Sequence, residues 1–115
     1  MPRLNLHLLS DSTGETLEAI AKAALAQFEG ADVIRHFWPM VRSQQHLDRI
    51  MGDVAAKPGL VFYTMASAEL REKLVERCTG LGLPVVAVLD RAVEALESAL
   101  GQHPRARPGR QHVMN

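Results

Sequence analysis

The chain contains one cysteine, Cys78, so it cannot form an internal disulfide. Its first residues, Met1-Pro2-Arg3-Leu4-Asn5-Leu6-His7, have neither a long apolar segment nor an A-x-A cleavage site, and so do not read as a secretory signal. The two absences together point to the cytoplasm. No apolar run approaches the ~18 residues of a membrane-spanning helix. Thirteen Lys and Arg balance thirteen Asp and Glu, for a formal net charge of zero. That balance argues against binding nucleic acid through bulk positive charge. Two familiar nucleotide loops are missing as well. The pattern G-x-x-x-x-G-K-[ST] does not occur, and Gly80-Leu81-Gly82 follows a helical segment instead of opening one. His7, His36, His46, His103 and His112 share no metal-ligand spacing, so no metal site is expected.

What is present is a regular alternation. The length of 115 residues and the apolar share of 47% fit one globular domain with a real core. Apolar runs at residues 4–9, 33–38, 60–65 and 85–89 have the length and composition of buried parallel strands. Each leads through a polar junction into an amphipathic segment. In the first, Leu17, Ile20, Ala21, Ala24, Leu25 and Phe28 recur at helical spacing. Ser12 and Glu15 have the spacing of a capping box at its start, and Gly30 stands where a C-terminal cap belongs. The second helix carries Leu47, Ile50, Met51 and Val54 and stops before Lys57-Pro58-Gly59. The third carries Leu70, Leu74, Cys78 and Leu81, with Ser67 as N-cap and Gly80 and Gly82 as stops. The fourth carries Val93, Leu96 and Leu100, with Asp90 as N-cap. Four such units predict an α/β fold: a four-stranded parallel sheet in a flavodoxin-like or Rossmann-like three-layer arrangement, strand order 2-1-3-4. Pro39, which lacks an N–H, suits the end of an edge strand.

Residues 1–101 form the expected domain and carry a net charge of −3. Residues 102–115 hold Arg105, Arg107 and Arg110 and no acid. With two prolines, a glycine and almost nothing apolar, this stretch reads as a basic linker or tail.

Ligands of open parallel sheets bind at the carboxyl ends of the strands. Four junctions lie there: Ser10-Asp11-Ser12-Thr13-Gly14, Pro39-Met40-Val41-Arg42-Ser43, Thr64-Met65-Ala66-Ser67 and Asp90-Arg91. The first sets three hydroxyls and a glycine before a helix, where free N–H groups and the helix dipole favour an anion such as phosphate. Asp11 and Glu15 oppose that reading, and Ser12 can equally be a cap and nothing more. Arg42 could reach across to the same anion, or form only a surface salt bridge. The candidate anion or ligand site is thus Ser10, Ser12, Thr13, Gly14 and Arg42. Ser67 has no histidine tied to it as a base and reads as a cap. His7 and His36 read as packed strand residues, and Cys78 as a small core residue. Asp11-Ser12-Thr13-Gly14-Glu15-Thr16 also looks like a flavodoxin phosphate loop. An acid at its first position sets a carboxylate against the flavin phosphate and counts against FMN.

Leu8-Leu9-Ser10-Asp11-Ser12-Thr13-Gly14-Glu15-Thr16 resembles the opening of the bacterial pyruvate, phosphate dikinase regulatory protein family. So do Ala24-Leu25-Ala26-Gln27-Phe28, His36-Phe37-Trp38-Pro39-Met40-Val41-Arg42-Ser43, residues 84–90 and Arg107-Pro108-Gly109-Arg110-Gln111-His112. The resemblance covers nearly the whole chain and is most specific in the first block. A related branch acts on phosphoenolpyruvate synthase, and the Asp-Ser-Thr-Gly-Glu-Thr form here looks more like the dikinase branch. The resemblance implies a bifunctional enzyme that phosphorylates a threonine of the dikinase with ADP as donor. It also implies removal of that phosphate by phosphorolysis, with inorganic phosphate consumed and pyrophosphate released. The family's Gly-x-Ser-Arg-Thr-Ser-Lys-Thr-Pro type phosphate loop matches nothing here, so no catalytic residue is carried over to this chain. The expectation is an N-terminal domain of a longer cytoplasmic protein, inactive alone, without a tightly bound cofactor, and docking the dikinase or a phosphate-bearing ligand. A flavodoxin-like module and a pure docking domain are the alternatives, and homodimerisation is left open.

Overall fold

A computed structural model describes residues 3–104 of the chain. Eight elements alternate: β1 (Leu4–Ser10), α1 (Glu15–Leu25), β2 (Val33–Trp38), α2 (Gln44–Ala56), β3 (Leu60–Thr64), α3 (Ala68–Leu81), β4 (Val85–Ala87) and α4 (Asp90–Leu100). The four strands form one sheet in the order β2-β1-β3-β4, and every neighbouring pair is parallel. The α/β class and the strand order expected from the sequence are both present. A parallel pair needs a crossover, and because the order reverses at β1, right-handed crossovers place α1 on one face of the sheet and α2 and α3 on the other.

Alternation along the strands divides the core in two. Leu6 and Leu8 of β1 meet Leu17 and Ala21 of α1 on one face, with Val33, Leu60, Phe62 and Val88 around them. On the other face Leu9, Val61 and Tyr63 pack under α2 and α3 with Leu47, Ile50, Met51, Val54, Leu70, Leu74 and Cys78. Each large side chain buried in this way stabilises the fold by roughly 1.5–3 kcal/mol. The second and third helices bury the residues that periodicity assigns to them, except Leu81, which is largely exposed. Burial pushes the Cys78 thiol up to about 11, so it stays protonated and inert.

Several local expectations are corrected. No capping box forms at α1. Its N-cap is Gly14, in the left-handed region at φ 81, with no side-chain cap bond. The chain turns at Gly14 because Ser12 is engaged with Ser10 instead, and the helix starts at Glu15. A side chain at Gly14 would also meet Phe37 at 2.6 Å. Gly30 does not cap α1 either, since the helix ends at Leu25 and Gln27 and Phe28 continue as turns. Phe28 therefore leaves the apolar face and is 67% exposed. Asp90 is the first residue of α4 and not its cap, which is Leu89; its carboxylate turns to Arg71. The fourth strand is only three residues long, and α4 buries none of its side chains. Ser43 and Ser67 do cap α2 and α3, accepting from the N–H of His46 and Leu70. The fourth helix ends at Gly101, its left-handed C-cap. Of the basic stretch, residues 105–115 lie outside the described residues.

Candidate functional site

The first three strands deliver their carboxyl ends to one edge of the sheet, and the junctions there are bonded to one another. Ser10 ends β1 and is fully buried. Its Oγ accepts from the Ser12 N–H at 3.1 Å and from Thr64 Oγ1 at 3.3 Å. That hydroxyl therefore ties the first junction to the end of β3 and turns the chain after Asp11. Ser12 Oγ lies 3.3 Å from the same atom. Asp11 reaches the third junction, where its Oδ2 accepts from the Ala66 N–H at 2.8 Å. A carboxylate thus already sits just ahead of α3 (Ala68–Leu81), whose own first turn is capped by Ser67.

The second junction folds onto the first. Met40 N–H donates to the Ser12 carbonyl at 2.8 Å and Val41 N–H to the Ser10 carbonyl at 2.9 Å. Among the described residues Met40 is the one non-glycine residue with positive φ, at 59°. A left-handed conformation costs an L-residue roughly 1–2 kcal/mol, which these two bonds offset. Val41 is fully buried and anchors the segment. Arg42 then projects beside the first junction, where its Nε donates to the Asp11 carbonyl at 2.8 Å.

The structure therefore brings the sequence-chosen residues to one end of the sheet, in three different situations. Ser10 is buried and bonded within the protein. Ser12 and Thr13 are exposed, and Gly14 opens α1 with its first N–H groups uncapped by any side chain. Arg42 is neither free nor paired with an acid; a backbone carbonyl holds it. Uncapped helical N–H groups beside two exposed hydroxyls can receive an anion. Glu15 and Glu18 in the first turn lend the same end negative charge.

Beside the first and third junctions lies a cavity of about 320 Å³, lined among others by Asp11, Ser12, Thr16, Tyr63, Arg71 and Glu94. Sequence reading missed Tyr63, Arg71 and Glu94. Arg71 pairs with Asp90 at 2.5 Å and lies 5.7 Å above the Tyr63 ring. One signal was available: Arg71 stands four residues after the cap Ser67, in the turn of α3 that must face the strand ends. A second groove beside it runs past Asp11, Arg42, Ser43 and Ser67. Among the described residues no group of three or more His, Cys, Asp or Glu could hold a metal ion, and no helix is long and apolar enough to cross a membrane.

A parallel α/β sheet whose polar junctions interlock at the carboxyl edge defines a doubly wound domain, with the starts of α1, α2 and α3 gathered at that edge. The chain belongs to the kinase/pyrophosphorylase family, whose pattern matches residues 6–115. It is 70% identical over all 115 residues to a protein of Novosphingobium aromaticivorans and covers 41% of that protein. It is 61% identical over its full length to a protein of Rhizorhabdus wittichii, covering 42% of it. Over 111 residues it is 44% identical to one from Rhizobium meliloti, covering 96% of this chain and 41% of the relative. All three carry the name "Putative pyruvate, phosphate dikinase regulatory protein". The chain thus spans about two fifths of the length of the curated relatives it matches.

Proposed function

We propose that the chain is the N-terminal part of a transferase that controls pyruvate, phosphate dikinase by reversible phosphorylation of a threonine. In this reading ADP is the donor in the inactivating direction. Inorganic phosphate is the acceptor in the reverse direction, and pyrophosphate is released. The N-terminal part binds the dikinase or a phosphate-bearing ligand through Ser12, Thr13, Gly14 and Arg42, while Ser10 holds the junction in shape. The phosphate loop that performs transfer lies elsewhere in the longer protein, and this chain alone carries no kinase activity. Family membership supports the reaction class. The single observation that supports the site is the uncapped start of α1, flanked by exposed hydroxyls and by Arg42.

The test is to replace Thr13 by Ala and Arg42 by Ala in the full-length protein and assay both directions with purified dikinase. The reading expects at least one direction, or dikinase affinity, to fall roughly tenfold or more, the scale of a lost charge-assisted contact. Unchanged rates and unchanged affinity would reject the site.

A second reading, favoured by the Asp11 carboxylate on the Ala66 N–H, is a docking surface with no small-molecule site. Titrating phosphate, ADP and pyrophosphate into the chain separates the two. Shifts at the amides of residues 14–17 support the anion site, and their absence supports docking alone.

A further inference from the structure

One buried titratable group takes no part in the junctions, yet it borders the residue from which the second junction starts. His7 is 1% exposed, in the middle of β1. Its Nδ1 accepts from Trp38 Nε1 at 3.2 Å. An indole N–H can only donate, so Nδ1 carries no proton. The ring proton is therefore on Nε2, which donates to the Lys57 carbonyl at 2.8 Å. Two partners of opposite polarity thus hold the imidazole in one neutral tautomer. His36 stacks on it from β2, ring centroids 4.5 Å apart, and its Nε2 donates to Asn5 Oδ1 at 2.9 Å.

The charged neighbours divide. Asp53 of α2 favours a charged His7, while Lys57, just past the end of α2, and His36 disfavour it; β3 offers only the apolar Val61 opposite. Burial outweighs the rest and holds the His7 pKa below its usual value. A second proton could enter only at Nδ1, the atom that accepts from Trp38. Two donors would then face each other and the bond could not persist.

Trp38 is the last residue of β2, an edge strand with β1 as its sole neighbour in the sheet among the described residues. Immediately after it come Pro39 and the left-handed Met40, then the contacts that set Val41 and Arg42 against the first junction. We propose that the ladder Asn5–His36–His7–Trp38 is a proton-sensitive latch. With His7 neutral it pins the end of β2 and keeps Arg42 on the Asp11 carbonyl; a proton on His7 releases both. The latch acts whichever ligand or partner the junctions take, so it stands apart from the proposed function.

The chain has one tryptophan, so its intrinsic emission reports Trp38 alone. The experiment follows Trp38 emission, the Trp38 indole N–H resonance and the Arg42 Nε–H resonance of the chain from about pH 8 to about pH 5, a range that brackets an ordinary histidine. The ring ¹⁵N shifts of His7 are read in the same samples. The latch predicts an unprotonated Nδ1 at the upper end. It further predicts one reversible step below the usual histidine value, with the same midpoint at Trp38 and Arg42 and no loss of far-UV ellipticity. In His7→Gln, whose amide stays neutral, both steps vanish. A proton on Nδ1 at the upper end, a Trp38 step without an Arg42 step, or a step that coincides with unfolding overturns the latch. So does a Trp38 step that persists in His7→Gln. Should that variant fail to fold, the ¹⁵N shifts of the unmodified chain decide alone.

Discussion

Replacing Gly14 by Ala tests the geometry of the first junction most sharply. Gly14 sits at φ 81, and a Cβ built there falls 2.6 Å from two atoms of the Phe37 ring. The left-handed conformation costs an L-residue roughly 1–2 kcal/mol. Moving the ring adds an overpacking cost of about 1–3 kcal/mol. The lower part of that range applies, because Phe37 lies on the edge strand, is 37% exposed and can swing outward. The expected loss is thus about 2–4 kcal/mol, a large fraction of the ~5–15 kcal/mol that holds a domain folded. With a urea slope of about 2 kcal/mol/M the midpoint falls by roughly 1–2 M. Urea unfolding followed by far-UV circular dichroism measures it. Phe37→Ala removes the obstructing ring, so the double-mutant cycle should show a favourable coupling of about 1 kcal/mol or more, leaving the backbone cost behind. A loss for Gly14→Ala below ~0.5 kcal/mol, or a cycle with no coupling, would refute this account of how the chain enters α1.

Three further outcomes follow from the same structure. A Cβ at Gly59 would lie 1.9 Å from the Asn5 carbonyl oxygen and 2.8 Å from its carbon. Because the obstacle is backbone, Gly59→Ala should cost about 3 kcal/mol or more, seen as a lower Tm. Cys78, buried and with its pKa raised to about 11, should not react with a disulfide reagent in the native state, and should react fully in denaturing guanidinium. Stability should depend on pH through His7. Its folded pKa lies below the usual value of about 6.5, so the unfolded chain binds the proton more readily. The contribution is whole above about pH 6.5 and is lost as the pH falls beneath it. Urea midpoints at about pH 7.5 and about pH 5.5 should differ more for the unmodified chain than for His7→Gln.

Much of this architecture can be read from residue patterns. Short apolar runs separated by helical periodicity suffice for the strands, their parallel pairing and the order 2-1-3-4, because crossover handedness leaves few alternatives. Helix interiors such as Leu47–Ile50–Met51–Val54 are equally plain. Helix starts are harder to read. Ser12 and Glu15 have the spacing of a capping box, but the Ser12 N–H and hydroxyl turn to Ser10, and the cap falls to Gly14. Asp90 has the right type and place for a cap and pairs instead with Arg71, nineteen residues away. Such choices depend on partners distant in sequence. The gathering of Ser10, Ser12, Thr13, Gly14 and Arg42 was legible from topology, since carboxyl ends of parallel strands share an edge. That Ser10 faces inward, and that Arg42 meets a carbonyl instead of an acid, was not. The fourth helix shows the limit of periodicity. Val93, Leu96 and Leu100 keep helical spacing, yet none is buried within the described residues.

The proposed function is that this domain belongs to a machine that moves phosphate onto and off a threonine of the dikinase. It is tested most directly by incubating the full-length protein with purified pyruvate, phosphate dikinase and ADP labelled at its β-phosphate. The account predicts label on a dikinase threonine with loss of dikinase activity, then release of that label as pyrophosphate when inorganic phosphate is added. A dikinase that stays unlabelled and fully active would contradict it.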